Sequence, residues 1–199
     1  MYFNIRVLRP LKSGFTLIEL MIIVAIVGIL TTVSVTNFQA GQEDEALRIG
    51  ALRIADGLRT AQNYAQSGIH QSYASARAYG VYIKKPDTII LFADKTGDAD
   101  KWGVWDTNGQ QNGDEKIGEP IRLVVGSRKS IAIDTQNGIA IDGVNQNEVH
   151  IGFRALTASG LINGKSEGGI VTITLRSSKN NNTKKVTINR LTGRVDAEY

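Results

Sequence analysis

The sequence predicts an α+β protein in which one long N-terminal helix precedes a head domain built from an antiparallel β-sheet. Three observations support this fold class. A mainly apolar run extends from Phe15 to Leu30, with Glu19 as its one charged residue. Apolar residues then recur at spacings of three and four residues as far as Ala65, which is the period of a helix. From Tyr79 onward the pattern changes to the alternation that is typical of strands.

The first 14 residues form a short basic segment. They contain Arg6, Arg9 and Lys12 and no acidic residue. Because three of the 23 basic residues lie there, the rest of the chain carries 20 basic against 19 acidic residues. This near-neutral remainder argues against a general nucleic-acid-binding protein. The chain has no cysteine, which excludes disulfides, zinc–thiolate sites and cysteine nucleophiles.

Residues 15–42 are predicted to form a transmembrane helix. After Glu19 no charged residue occurs before Glu43. A helix over 20–42 would be about 34 Å long, and the hydrocarbon core of a bilayer is about 30 Å thick. The basic residues ahead of it predict that the N-terminus stays in the cytoplasm. A cleaved secretory signal peptide and a plain signal anchor are the alternatives, but neither explains a carboxylate within the apolar run.

Glu19 has two competing interpretations. Thr16 and Glu19 fit the S/T-x-x-E pattern of a capping box at the start of a helix. Alternatively, the carboxylate has a positively charged partner at the same depth, since an isolated charge in lipid costs roughly 2.5–3.5 kcal/mol. Cleavage after Gly14 would create such a partner, the α-amino group of Phe15. We favour the charge pair and keep the capping box as the alternative.

The run from Gly14 to Glu19, GFTLIE, resembles the class III signal of type IV prepilins and type II secretion pseudopilins. The resemblance implies cleavage after Gly14, N-methylation of Phe15 and a role of Glu19 in filament assembly. It also implies three partners: a prepilin peptidase that acts as the methyltransferase, other pilin or pseudopilin subunits, and lipid of the bacterial inner membrane. Many members have a proline at the position that Thr36 holds here, so a helix break at that point is not implied.

This interpretation divides the chain into three parts. Residues 1–14 are the leader peptide, 15–42 the membrane or filament-core helix, and 43–199 a periplasmic head. The helix is predicted to run from about residue 16 to residue 66 and to end at Ser67-Gly68. In the head, one apolar stripe is expected to pack on the sheet rather than in a coiled coil; it consists of Leu47, Ala51, Ile54, Leu58, Ala61 and Ala65.

The strands of the head are predicted to form an antiparallel sheet that is covered by the helix on one face and exposed on the other. Residues 121–125 and 130–134 are expected to pair as a hairpin. Strands are predicted at 79–84, 88–93, 121–125, 130–134, 139–141, 149–153, 170–175, 185–189 and 194–196. This order and the ending ITINRLTGR resemble the minor pseudopilins of the GspH/FimT group. The resemblance implies a structural subunit of a type IV pilus or type II secretion filament rather than an enzyme.

The segment between Ala93 and Pro120 is rich in acidic and amide side chains. Oxygen ligands at alternate positions are what calcium requires. An EF-hand is not matched, because Gln110 and Ile117 occupy the fifth and twelfth positions counted from Asp106. We favour a turn-rich connector without a cofactor and keep calcium as the alternative. Its candidate ligands are Asp94, Asp98, Asp100, Asp106, Asn108, Asn112 and Asp114.

The sequence leaves two alternative functions. A signal-anchored periplasmic enzyme is not favoured, because His70, Ser159 and Ser166 lack the sequence context of a catalytic site. His150 lies between two core residues and is expected to face outward, with a surface or pairing role. The other function is a minor pilin whose exposed head binds DNA or a surface. It would require four lysines to converge on one face, namely Lys165, Lys179, Lys184 and Lys185.

Overall fold

The computed structural model describes residues 14–68, 76–95, 102–105, 114–123, 130–166 and 168–198, and for residues 33–40 only the helical backbone. One helix, α1, extends from Leu17 to Ser67. The chain divides into two compact units, with the boundary between Ala40 and Gly41. The helix is continuous through Thr36, as expected for a chain without proline at that position.

The predicted end of α1 is confirmed. Gly68 adopts a left-handed conformation with φ of 59°, and its backbone N–H donates to the carbonyl oxygen of Tyr64 at 3.2 Å. A glycine takes this conformation without the steric cost that a Cβ atom imposes, so it ends helices readily. The helix therefore begins and ends within one residue of the predicted bounds.

In the first unit, α1 leaves its large apolar side chains exposed. Phe15 is 77 % exposed, and exposed apolar residues continue on every side of the helix as far as Leu30. Within the part of the chain that the structure describes, no helix is long and apolar enough to cross a membrane. The transmembrane helix predicted for residues 15–42 is therefore not confirmed and stays a prediction.

The head contains two antiparallel sheets, whereas the sequence predicted one. The first has the order β3-β2-β1-β7-β8 and the second the order β11-β10-β9-β5-β6, with β4 also paired to β9. The strands are β1 Ala78–Lys84, β2 Thr88–Asp94, β3 Glu115–Lys116, β4 Ile131–Ile133, β5 Ile139–Ile141, β6 Val144–Asn145, β7 Glu148–Arg154, β8 Gly160–Ile162, β9 Ile170–Ser177, β10 Thr183–Asn189 and β11 Val195–Ala197.

The predicted hairpin of residues 121–125 and 130–134 is wrong. β4 pairs with β9, with Ile131 opposite Ser177. Residues 121–123 are not in a strand, and the N–H of Ile121 donates to the carbonyl oxygen of Ile89 in β2 at 2.9 Å. Residues 124–129 lie outside the described residues. The two apolar stretches therefore contact strands of different sheets, although they are neighbours in sequence.

The predicted stripe on α1 is confirmed as the spine of the hydrophobic core. All six of its residues have no exposed surface. They belong to one cluster with core residues from both sheets, among them Val81, Phe153 and Ile173. The helix approaches the second sheet closely, since a Cβ atom at Gly50 would lie 3.1 Å from Cδ1 of Leu175. The core side of α1 is thus satisfied within the head itself.

We expect Leu58→Ala to lower the free energy of unfolding of a fragment of residues 41–199 by about 2–5 kcal/mol, because it removes a fully buried side chain and leaves a cavity. Ile49→Ala is the matched control on the same helix, since Ile49 is 36 % exposed and should cost less than Leu58. Urea unfolding followed by circular dichroism measures both. Equal effects of the two substitutions, or a fragment without a cooperative transition, would contradict this packing.

Candidate processing and assembly site

A capping box is present at the start of α1. The N–H of Glu19 donates to Oγ1 of Thr16 at 3.3 Å, and the N–H of Thr16 donates to Oε2 of Glu19 at 3.5 Å. Thr16 precedes the first helical residue, Leu17, so Glu19 is the third residue of the helix. Both hydrogen bonds are long, and both side chains are exposed, so the box is weak. The single chain therefore contains the capping box, which is the alternative interpretation of Glu19.

The capping box leaves the negative charge of Glu19 uncompensated. One carboxylate oxygen faces the N–H of Thr16, and no cation among the described residues forms an ion pair with Glu19. The carboxylate is placed next to the partial positive charge at the N-terminal end of the helix dipole. Capping within one chain and charge pairing with another chain are consequently compatible, because the first does not use up the charge.

Gly14 and Phe15 are both exposed. Among the described residues, a Cβ atom built on Gly14 would have no neighbour within 4 Å. The leader residues 1–13 lie outside the described residues. The predicted roles of Gly14 in cleavage, Phe15 in methylation and Glu19 in assembly stay predictions at this point.

The acidic segment contains one carboxylate with a defined structural role. Asp94 ends β2, is fully buried, and accepts a hydrogen bond at Oδ2 from the N–H of Gly103 at 2.6 Å. Asp114 is the other described candidate for a calcium ligand. The remaining candidates lie outside the described residues: Asp98, Asp100, Asp106, Asn108 and Asn112. Among the residues that are described, no group of three or more His, Asp or Glu side chains could hold a metal ion.

We expect millimolar calcium to leave the melting temperature of the head nearly unchanged, as for a turn-rich connector. A ligand at 100 times its dissociation constant would stabilise a one-site protein by about 2.7 kcal/mol, which raises the melting temperature by a few degrees in a domain of this size. Thermal melts with calcium and with a chelator measure the difference. A calcium-dependent rise that Asp106→Ala abolishes would overturn this expectation.

Sequence reasoning missed a buried carboxylate on α1. Glu43 is only 4 % exposed. Its Oε2 accepts hydrogen bonds from the hydroxyls of Ser130 at 2.7 Å and Ser177 at 3.2 Å, and its Oε1 accepts one from the ammonium of Lys179 at 2.8 Å. Lys179 and then Ser130 lower the pKa of Glu43 against the opposing effect of burial, so the carboxylate is ionised. This network ties α1 to β9 and the adjoining turn.

The lysines of the proposed DNA- or surface-binding head do not form one patch. Lys179 is held by Glu43. Lys184 and Lys185 are successive residues of β10, so their side chains point to opposite faces of the sheet. Lys165 lies in a turn bridged to Ile162. The arrangement therefore gives no specific support to that alternative function.

His150 is covered rather than outward-facing. Its Nδ1 accepts a hydrogen bond from the N–H of Trp105 at 2.9 Å, and its ring lies 4.7 Å from that of Tyr82. The expected pairing role is thus present, but the second face of the first sheet is covered here by the segment Trp102–Trp105. His70 lies outside the described residues.

A methylation-type N-terminal motif on a long helix, followed by an antiparallel head, defines a pilin-type filament protein. Residues 9–35 match the family model of the prokaryotic N-terminal methylation motif. The chain is 33 % identical over 147 residues to a fimbrial protein of Dichelobacter nodosus, across 68 % of this chain and 89 % of that relative. No solved structure matches the chain. The chain belongs to the type IV pilin-like proteins, which confirms the resemblance seen in the sequence.

Proposed function

We propose that this type IV pilin-like chain is a minor pilin or pseudopilin of a type IV pilus or type II secretion filament. In this proposal a prepilin peptidase cleaves after Gly14 and methylates Phe15. The protein is then stored in the bacterial inner membrane with residues 43–199 in the periplasm, and it is finally assembled into a filament. The observation that carries the proposal is the exposed apolar surface that extends from Phe15 to Leu30 and includes the charged residue Glu19.

The distribution of apolar residues around the helix supports two successive environments. Residues 20–24 are consecutive and apolar, so this part of the helix has no polar face. A helix that is hydrophobic on every side is normally buried in lipid or among other helices. Each square ångström of apolar surface left in water costs roughly 25 cal/mol. Transfer from lipid into the core of a filament keeps this surface out of water throughout.

The charge of Glu19 supports a specific contact within such a core. Cleavage after Gly14 would leave a positively charged amino group on Phe15, and a single N-methyl group would keep that charge. Two opposite charges in apolar surroundings are tolerated only when they pair with each other. Removal of one partner costs of the order of 3–5 kcal/mol. Because the capping box leaves the charge of Glu19 uncompensated, we infer that its carboxylate forms an ion pair with the amino group of Phe15 in an adjacent subunit.

We expect Glu19→Gln and Glu19→Val to be cleaved normally but to enter filaments poorly, because neither side chain supplies the negative charge. Since the chain has no cysteine, Val24→Cys provides a single cross-linking site in the apolar surface. Cross-linking in cells that assemble the filament measures contact between subunits, with the amount of protein in the membrane as the control for insertion.

Thr16→Val is the matched control for the capping box. It removes the hydroxyl that accepts the hydrogen bond from Glu19 but keeps the carboxylate, and loss of a cap costs about 1 kcal/mol. We expect this variant to assemble nearly as well as the unmodified chain. Normal cross-linking of Glu19→Gln together with loss of cross-linking in Thr16→Val would assign Glu19 to capping alone.

A further inference from the structure

We propose that His150 is a pH-dependent latch: its neutral imidazole holds the segment Trp102–Trp105 on the first sheet, and protonation releases that segment. The latch belongs to the fold of the head and goes beyond the proposed function, since it does not depend on filament assembly. It acts on the face of the sheet opposite the hydrophobic core. We call this the outer face; it carries Gly80, Tyr82, Phe92, His150, Gly152 and Leu161.

The segment contacts the outer face through the ring of Trp105, whose centre lies 5.6 Å from that of Phe92, and through three contacts of its backbone. The carboxylate of Asp94 accepts the N–H of Gly103 at 2.6 Å. Gly103 packs directly on Gly152, where an added Cβ atom would lie 2.7 Å from the Cα of Gly103. The N–H of Trp105 donates to Nδ1 of His150 at 2.9 Å. Of these contacts only the last involves an imidazole, whose ordinary pKa of about 6.5 lies near neutral pH.

The hydrogen bond from Trp105 fixes the tautomer of His150. A backbone N–H can only donate, so Nδ1 must be the unprotonated nitrogen and the proton of the neutral ring must lie on Nε2. A protonated imidazole is a donor at both nitrogens. It would place two N–H groups against each other at the same position. Protonation therefore converts this anchor from an attraction into a repulsion.

The surroundings of His150 have two opposite effects on its pKa. Burial under the segment lowers the pKa of His150, whereas the negative charge of Glu148 on the same strand raises it, and burial is the larger effect. Glu148 itself accepts a hydrogen bond from the hydroxyl of Tyr82 at 2.7 Å and pairs with Lys84 at 3.6 Å. At the far end of the segment, the guanidinium carbons of Arg77 and Arg154 lie 5.9 and 5.3 Å from the ring centre of Trp102.

The direction of the pH dependence follows from these effects. The pKa of His150 is lower with the segment closed than in a solvated state, so the released form binds more protons. The closed form is consequently favoured fully above about pH 6.5 and loses stability as the pH falls below that value. Release would uncover the outer face and separate Trp102 from Arg77 and Arg154 without unfolding the core.

The test uses the full chain in a non-ionic detergent that does not fluoresce. The chain has two tryptophans, so Trp102→Phe leaves Trp105 as the single reporter. We expect its emission to shift to the red and its quenching by acrylamide to rise as the pH falls from 8 to 4.5, with a midpoint below 6.5. Far-ultraviolet circular dichroism should stay constant over this range, because the core remains folded.

His150→Asn is the decisive variant, since its side-chain oxygen can accept the hydrogen bond from Trp105 but does not titrate. In this background we expect emission that stays blue-shifted and independent of pH. In the chain that keeps His150, Glu148→Gln should move the midpoint of the fluorescence change to lower pH, because it removes the negative charge that favours the imidazolium. The same red shift in His150→Asn as in the parent would overturn the proposal.

A measurement on the unsubstituted chain covers the case in which a variant does not fold. In protein labelled with ¹⁵N-histidine, with His70→Gln used for assignment, we expect the nitrogen shifts of His150 to show the Nε2–H tautomer at pH 7.5. They should change to those of an imidazolium together with the fluorescence shift. An Nδ1–H tautomer at pH 7.5, or a closed segment with a protonated His150, would contradict the latch.

Discussion

The main physical constraint on this structure is the apolar surface that α1 exposes from Phe15 to Leu30, because these side chains are unfavourable in water. Farther along the same helix, the stripe from Leu47 to Ala65 is fully buried against the head. The two parts of one helix therefore meet opposite requirements. The head can complete its core alone, whereas the N-terminal part needs an apolar environment from outside the chain. We propose that this division allows the chain to exist first as a stored monomer and later as part of a filament.

Two carboxylates on α1, Glu19 and Glu43, lie in opposite environments. Glu19 at the start is exposed and keeps an uncompensated charge despite its capping hydrogen bonds. Glu43 at the start of the head is buried, and its charge is satisfied by Lys179 and two serine hydroxyls. The first carboxylate is thus available to another molecule, and the second is used inside the head. In the proposed function, the same residue type serves assembly in one place and tertiary structure in the other.

Much of the fold could be predicted from local periodicity. The bounds of α1, its buried stripe and the hairpin of β10 and β11 follow from patterns within a few residues. The division into two sheets could not be predicted, because β3 and β6 have two residues each and show no period. The pairing of β4 with β9 joins residues about 40 positions apart, which no local pattern reports.

The candidate site divides in the same way. Gly14, Phe15 and Glu19 could be proposed from the sequence because their order along the chain is itself the signal. Glu43 was missed, since a carboxylate in a polar stretch has the same sequence appearance whether it is buried or exposed. The covered position of His150 was missed because alternation along β7 assigns a face to the side chain but does not show which loop packs on that face.

The central claim is that the exposed apolar helix is the mature N-terminus of a filament subunit. The most direct test is the intact mass of the protein extracted from the membranes of cells that contain the prepilin peptidase. The account predicts a chain that begins at Phe15 and carries one added methyl group, and a full-length unmethylated chain for Gly14→Val. A mature chain that begins between residues 31 and 42 would contradict it, because ordinary signal cleavage there would remove the apolar surface altogether.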